Sequence, residues 1–349
     1  AHVIINATGP WTDRTIAMSK PLASGRLLRP TKGIHVVVEK DKLPMSNAVV
    51  CLHPVDRRVL FAIPWGDRTY IGTTDTDYEG DPGDVAADWE DVDYLVSACA
   101  TYFPDHPLTH DDVISTWAGL RPLIRPVGED GEVDESSVSR EHQIVIGQDG
   151  LITIAGGKLT TYRRMAAEVV DSAVNLLRLS SAVHGRLRHP DTDTEPLPGA
   201  VGWPEDDDHV AVGRAVTEAS EGLLSPEVGL YLGNNYGMRG IDIARMVAAE
   251  PSLATPLISG RPEILGLIDW GVTQEFADGI VDVLKRRTQL YYRDLNQGLD
   301  AVDLVAARMQ TLLGWDEQRL QTEISAYHEE VARSRRWKTD ERPSMSEGE

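Results

Sequence analysis

A pair of glycines followed by a lysine and two threonines is the feature of the sequence with the clearest capacity for chemistry. Residues 156–163 read GGKLTTYR and come directly after the apolar run LITIA at 151–155. Paired glycines between a strand and a helix let a ligand approach the backbone closely, and the first turn of the helix offers free N–H donors. The turn would suit an anion or the polar edge of a cofactor ring, although a plain tight turn with a solvated lysine has the same pattern.

Two arginines lie just beyond predicted strands, where a rigid element can project a side chain into a cleft. Arg121 belongs to GLRPL at 119–123, and Arg140 belongs to SREH at 139–142. Two guanidinium groups can hold a phosphate through bidentate hydrogen bonds, so we expect both side chains to face one cleft. Salt bridges with some of the 55 acidic residues are the alternative, and the spacing alone does not choose between them.

His35 lies between apolar neighbours in the strand pattern GIHVVVE at 33–39. An imidazole there could act as a general base if its pKa is near neutral and a substrate hydroxyl is within reach. A hydrogen-bonded core histidine fits the same pattern. The stretch TTD at 73–75 follows a further strand pattern and is read more simply as a turn with a local aspartate cap.

The hydrophobic periodicity predicts the elements that position these side chains. Short β-branched or aromatic runs predict a mostly antiparallel sheet, covered by a helix within 85–103. Apolar runs at 2–7 and 151–155, the second followed by a helix over 162–179, predict strands of a separate α/β sheet. The other strands are predicted at 33–39, 47–53, 58–65, 69–75, 113–120 and 143–147.

The second half of the chain changes character after a polar, proline-rich stretch. Residues 186–200 read RLRHPDTDTEPLPGA, a composition typical of a linker. The final residues, KTDERPSMSEGE at 338–349, lack apolar anchors and are predicted to be disordered. Between them, helices are predicted at 213–222, 226–236, 241–249, 274–292, 301–313 and 316–334.

The composition narrows the range of partners. A formal net charge of −21 argues against nucleic acid as the main partner, because phosphate backbones require a basic face. The only cysteines are Cys51 and Cys99, without the spacing of a zinc site or a disulfide framework, which favours a reducing cytoplasm. No apolar run approaches the roughly 20 residues of a membrane-spanning helix, so any membrane contact is expected to be peripheral.

Six motifs, taken in order, resemble those of the FAD-dependent glycerol-3-phosphate dehydrogenases. They are NATGPW at 6–11, KGIHVVV at 32–38, IPWGDRTYIGTTD at 63–75, GLRPL at 119–123, SREH at 139–142 and GGKLTTYRRMA at 156–166. The similarity continues in the helical part, at 285–290 and 305–327. It implies an α/β (α+β) fold: parts of an FAD-binding Rossmann-like domain at 1–30 and 140–184, an antiparallel-sheet substrate domain at 31–139, a linker at 185–200 and a C-terminal helical domain at 201–337.

The resemblance also implies roles for single residues. His35 and Lys158 would be catalytic, His35 as the general base and Lys158 pointing toward the substrate. The glycine pair before Lys158 separately leads us to expect this lysine in the deepest cleft between the two sheets. Arg121 and Arg140 would bind the phosphate of the substrate. Cofactor contacts would come from Ala7, Thr8 and Gly9 and from Gly157, Lys158, Leu159 and Thr160.

The implied reaction is the oxidation of sn-glycerol 3-phosphate to dihydroxyacetone phosphate, with a hydride passing to FAD. Electrons would then pass to a membrane quinone, as in the dehydrogenases, or to oxygen, as in related oxidases. We also expect peripheral contact of this acidic chain with the inner face of the cell membrane, through local basic segments such as 285–287 or 333–338. A homodimer is a candidate assembly.

The sequence departs from the family at its start. The family opens with a strand, a GxGxxG turn and a helix that hold the FAD pyrophosphate, and no GxGxxG occurs here. We therefore expect a missing N-terminal segment, lost by truncation or supplied by a separate chain, and this chain alone could be inactive. Two alternatives stay open: a related FAD-dependent amine or amino-acid oxidase, and a non-catalytic fragment that serves as an interaction module.

Overall fold

A computed structural model of the protein describes residues 1–19, 26–125, 141–179 and 191–339. Within these ranges the chain forms a six-stranded antiparallel sheet, a three-stranded mixed sheet and a helical C-terminal part. The predicted α/β (α+β) fold class is confirmed. In the same ranges no helix is both long and apolar enough to cross a membrane.

The long strand β2 organises the larger sheet. One edge of β2 pairs with β7, and its other edge pairs with β5 and β6, all antiparallel. Strands β4 and β3 extend the sheet beyond β5. The strands are β2 (Leu28–Glu39), β3 (Val49–Leu52), β4 (Val59–Trp65), β5 (Arg68–Gly72), β6 (Thr76–Asp77) and β7 (Val113–Ile124).

The two faces of this sheet have different roles because side chains alternate along each strand. Ile34, Val36 and Val38 of β2 are buried beneath helix α2 (Trp89–Tyr102), which begins at a capping box. The intervening residues of β2 face the other side, and this face carries His35. Only this second face is available to position a site.

The smaller sheet consists of β1 (Ile5–Asn6), β8 (His142–Ile146) and β9 (Ile152–Gly156). Strand β1 is parallel to β9, and β8 is antiparallel to it. Helix α1 (Thr12–Ser19) follows β1 after a 3-10 turn, and helix α3 (Tyr162–Leu179) packs its apolar stripe on one face of the sheet.

The two sheets meet at a small apolar contact formed by Leu28, Ile124 and Ala155. Leu28 begins β2, Ile124 ends β7, and Ala155 is the penultimate residue of β9. The end of β7 is thereby fixed beside the glycine turn that follows β9.

The C-terminal part is helical and has two apolar cores of its own. Its last helix contacts the larger sheet through Thr116, whose hydroxyl donates to the Ser334 carbonyl at 3.0 Å. The helices are α4 (His209–Ala219), α5 (Pro226–Tyr236), α6 (Gly240–Ala249), α7 (Gly266–Glu275), a π-helix (Asp282–Arg287), α8 (Leu290–Arg293), α9 (Val302–Leu313) and α10 (Glu317–Ser334).

Most predicted elements are confirmed to within a few residues, but the helix predicted at 274–292 is wrong. Helix α7 ends at Glu275, since Phe276 has a left-handed backbone conformation with φ of 57°. A short π-helix and α8 occupy the rest of the stretch. The sequence prediction also missed α1 and most of α7, and for α7 the cause is its weak amphipathic period.

Lys338 corrects the predicted start of the disordered tail. It closes a 3-10 turn over Arg336–Lys338 and donates from Nζ to the Val113 carbonyl at 3.4 Å. Residues 340–349 lie outside the described part of the chain. The predicted domain boundaries stay predictions.

Candidate active site

The turn after β1 is organised by one buried side chain. Asn6 is 1% exposed; its amide donates to the Thr12 carbonyl at 3.1 Å, and its oxygen accepts from the Thr8 hydroxyl at 2.7 Å. Gly9 has φ of +56° and would present a side chain to open space. Ala7 and Thr8 are exposed. The predicted cofactor contacts of this turn therefore lie on a solvent-exposed loop whose backbone is fixed by Asn6.

The glycine turn after β9 depends on both of its glycines. Gly156 and Gly157 have φ of +74° and +81°, a region that favours glycine. A Cβ at Gly156 would lie 2.6 Å from the Glu141 carbonyl oxygen and 2.9 Å from Ile124 Cδ1, and one at Gly157 would lie 2.4 Å from Met165 Sδ. Close packing thus explains the glycine pair.

Lys158 follows the strand and precedes a 3-10 turn over Leu159–Thr161 that leads into α3, as predicted. Its predicted location in the deepest cleft is wrong for this chain, because Lys158 is exposed. Its neighbours are exposed as well, Leu159 to 87% and Tyr162 to 58%. Apolar side chains of this size on a surface mark a face that a ligand or another segment can cover.

Arg121 is held over the backbone of the neighbouring strand. Its Nη1 lies 3.0 Å from Asp75 Oδ1, and its Nη2 donates to the Thr73 hydroxyl at 2.9 Å. A Cβ on Gly33 would lie 2.5 Å from both Nη atoms, so the glycine makes room for the guanidinium group. The side chain is 28% exposed.

His35 lies on the same face as Arg121, in an aromatic setting. Its ring stacks on Trp117 with centroids 4.7 Å apart and planes at 17°, and it meets the edge of Tyr70 at 5.9 Å. Burial and the nearby charge of Arg121 lower the pKa of His35 to about 4. The imidazole is therefore neutral at physiological pH and has a lone pair that can accept a proton.

Of the predicted residues, the structure brings His35 and Arg121 together on one face, and strand β7 leads from Arg121 to the glycine turn. The turns at 7–9 and 157–160 belong to parallel strands that are hydrogen-bonded neighbours, so they lie at the same edge of the smaller sheet. Arg140 lies outside the described residues, so its place beside Arg121 stays a prediction.

Several residues that sequence reasoning missed contribute to the site. Thr73 and Asp75, interpreted as a turn cap, hold the guanidinium group of Arg121. Trp117 is the β7 neighbour of His35, a pairing that only the strand register reveals. His142 is the β8 partner of Gly156, and its Nε2 lies 2.8 Å from Glu168 Oε2. The sequence placed His142 in the SREH motif, but nothing else in the sequence pointed to it as a site residue.

The glycine turn fits the ring portion of a flavin. The backbone at the start of the helix offers polar donors, and the exposed side chains of Leu159 and Tyr162 offer apolar surface. By contrast, within the described ranges no group of three or more His, Cys, Asp or Glu side chains could hold a metal ion.

Comparison with known proteins first defines the class. Residues 1–163 match the family described as FAD dependent oxidoreductase. Residues 190–320 match the family described as the C-terminal domain of alpha-glycerophosphate oxidase.

Similarity over most of this chain then points to a group of related enzymes. The chain is 35% identical over 328 residues to glycerol-3-phosphate dehydrogenase 2 of Mycobacterium tuberculosis, covering 93% of this chain and 52% of that protein. It is 33% identical to the aerobic glycerol-3-phosphate dehydrogenase of Staphylococcus epidermidis, covering 95% and 57%. The glycerol-3-phosphate dehydrogenase of Bacillus halodurans, solved with FAD, superposes with a TM-score of 0.78 at 29% identity, covering 95% of this chain and 62% of that one.

Over most of its own length the chain is therefore similar to the FAD-dependent glycerol-3-phosphate dehydrogenases, the family that its motifs predicted. It spans about half the length of the curated relatives that it matches.

Proposed function

We propose that this chain carries the substrate side of an FAD-dependent oxidation of sn-glycerol 3-phosphate to dihydroxyacetone phosphate. The observation that supports it best is the pairing of a partly exposed arginine with a neutral histidine on one sheet face. The arginine can bind the phosphate of sn-glycerol 3-phosphate, and the neutral histidine can accept the proton of its secondary hydroxyl.

Arg121 is the proposed phosphate ligand. Its guanidinium group is positioned by Asp75 and Thr73, and by the space above Gly33. A phosphate dianion would compete with the Asp75 carboxylate for the guanidinium group, since charge-assisted bidentate contacts are strong. Arg140 is proposed as the second ligand on the basis of the sequence motif.

His35 is the proposed general base for the secondary hydroxyl proton. It is neutral near pH 7, as a base must be, but a pKa of about 4 makes it a weak one. Binding of the phosphate at Arg121 would offset one of the two causes of the lowered pKa and strengthen the base. Phosphate binding and proton removal would thus be coupled.

FAD is the proposed cofactor, held through its ring by the two turns at 7–9 and 157–160. When bound, it would supply the two-electron acceptor for the hydride of the oxidised carbon. Lys158 directly follows the glycine pair and is proposed to contact both cofactor and substrate. Its exposed position means that the ligands themselves would have to bury it.

We further propose a membrane quinone as the final electron acceptor, which would place the protein peripherally on the inner face of the membrane. The basic segments predicted to touch lipid give this little support. Lys285 pairs with Glu330, Arg286 with Asp282, and Arg287 with Glu275, so their charges are locally balanced. Membrane contact that allows electron transfer to a quinone would therefore depend more on apolar side chains than on these basic residues.

The test is binding of glycerol 3-phosphate, with glycerol as a comparison, to the purified chain loaded with FAD. Arg121→Ala should weaken glycerol 3-phosphate binding by about 2–4 kcal/mol and leave glycerol nearly unaffected. Arg245→Ala, an exposed arginine on α6, is the matched control and should change neither. Unchanged binding in Arg121→Ala would refute the phosphate site. Preference for an amino-acid carboxylate would favour the amine-oxidase alternative, and no flavin binding would favour the interaction module.

A further inference from the structure

We infer that the C-terminal helical part has a positioning role at the site: Tyr292 of α8 holds Trp117, and Trp117 holds the ring of His35. The catalytic meaning of this chain of contacts rests on the proposed function, because only that function makes the orientation of His35 important. The contacts themselves can be tested without substrate.

The orientation of His35 depends on packing. Its Nδ1 is buried and has no hydrogen-bond partner in the described part of the chain. Catalytic histidines are commonly oriented by a carboxylate or carbonyl at one ring nitrogen, and that device is missing at this atom. On one side the ring is stacked on Trp117; on the other, a Cβ at Gly72 would lie 2.1 Å from its Cδ2. The ring is held between an indole and bare backbone.

Trp117 in turn is packed between aromatic rings from two parts of the chain. Trp65 of β4 meets it at 6.1 Å and 76°, and Tyr70 of β5 meets it at 5.4 Å and 52°. Tyr292 of α8 meets it edge to face, with centroids 5.4 Å apart and planes at 75°. Edge-to-face pairs at these distances are attractive beyond the apolar area that they bury.

Helix α8 has only four residues, and polar contacts with the sheet keep it in place. The Ser115 hydroxyl donates to the Tyr292 carbonyl at 2.8 Å, two residues before Trp117 on the same strand face. Arg68 Nε donates to the Arg293 carbonyl at 2.7 Å, and the Arg293 guanidinium lies over Trp65 at 5.5 Å. Hydrogen bonds to two consecutive backbone carbonyls, of Tyr292 and Arg293, therefore hold this end of α8 against the sheet.

The first test is an NMR titration of the His35 imidazole in the purified chain. Tyr292→Leu removes the ring but keeps an apolar side chain, and it should raise the His35 midpoint by about one pH unit or more as water reaches the loosened ring. Tyr292→Phe should restore the wild-type midpoint. Ser115→Ala, which removes only the hydroxyl contact, should shift it in the same direction by less and cover the case in which Tyr292→Leu fails to fold.

Leu253→Ala is the matched control, because Leu253 is buried in a helical core away from α8 and its loss lowers stability without touching Trp117. It should leave the His35 midpoint unchanged. The inference is overturned if Tyr292→Leu and Ser115→Ala leave the midpoint at the wild-type value, or if Leu253→Ala shifts it as much. Absence of glycerol 3-phosphate binding by the wild-type chain would count against the proposed function alone.

Discussion

Gly33 shows how much of the site depends on single residues. It pairs with Gly119 across β2 and β7, and both glycines lie in strand interiors, where glycine weakens a sheet. The two differ in their surroundings. A Cβ at Gly33 would meet the Arg121 guanidinium at 2.5 Å, whereas nothing lies within 4 Å of a Cβ at Gly119. Gly33 therefore leaves space for the Arg121 guanidinium group, whereas Gly119 does not.

Gly33→Ala should leave the fold intact, since the clashing guanidinium is the far end of a flexible side chain, but it should displace Arg121 and weaken glycerol 3-phosphate binding about tenfold or more. Gly119→Ala is the matched control and should bind normally. Calorimetric titration of each FAD-loaded variant with glycerol 3-phosphate measures the two affinities. Equal affinities in the two variants would show that the position of the guanidinium group does not matter.

His35 should make the protein sensitive to mild acid. Its folded-state pKa of about 4 lies below the ordinary value of 6.5, so its neutral form stabilises the fold fully above pH 6.5. That stability is lost as pH falls from 6.5 toward 4, because the unfolded chain takes up the proton first. Between pH 7 and pH 5 the loss should be about 2 kcal/mol. Urea unfolding of wild type and His35→Gln at both pH values measures the part of this loss that His35 causes. If the free energy of unfolding changes equally with pH in both proteins, the lowered pKa is contradicted.

At the scale of elements, one buried cluster joins the central strand to the covering helix. Lys32 of β2 lies 2.5 Å from Asp88 and 2.6 Å from Asp91, the two residues of the capping box of α2. Asp91 is 4% exposed, and burial raises its pKa. Without the lysine, the aspartate would be a buried charge with no counterion.

Lys32→Met should lower the free energy of unfolding by about 3–5 kcal/mol, the usual cost of removing one partner of a buried pair. Lys42→Met removes a mostly exposed lysine that pairs with Asp112 and should change stability little. Denaturant unfolding compares the two variants. If Lys32→Met is no more harmful than Lys42→Met, the cluster does not anchor α2.

At the scale of the whole molecule, Asp67 joins the larger sheet to the helical part. The turn residue accepts from Arg293 at 2.7 Å, and it pairs at 3.1 Å with Arg261 and with its own neighbour Arg68. Arg261 and Arg293 belong to the C-terminal helical part, so one carboxylate balances arginines from both units. Interfaces of this kind decide whether two units unfold together.

Asp67→Asn should weaken this docking by about 1–3 kcal/mol, since the carboxylate is half exposed and its contacts are partly screened. The expected result is a thermal unfolding curve that separates into two transitions. Asp77→Asn, which removes a partner of Arg29 within one sheet, should keep a single transition. A single, unshifted transition in Asp67→Asn would show that apolar contacts alone couple the units.

The sequence by itself determined the order and type of most elements, the family and the motif residues, because strand and helix periods, glycine pairs and turn residues are local signals. Helix α3 was predicted over its full length, and so was α5. Only the tertiary structure decided which residues share a face. Trp117 meets His35 through strand register, Asp75 meets Arg121 across 46 positions of chain, and Tyr292 reaches the site from the far end of the sequence. Such contacts depend on how distant segments pair and pack, which no local pattern encodes.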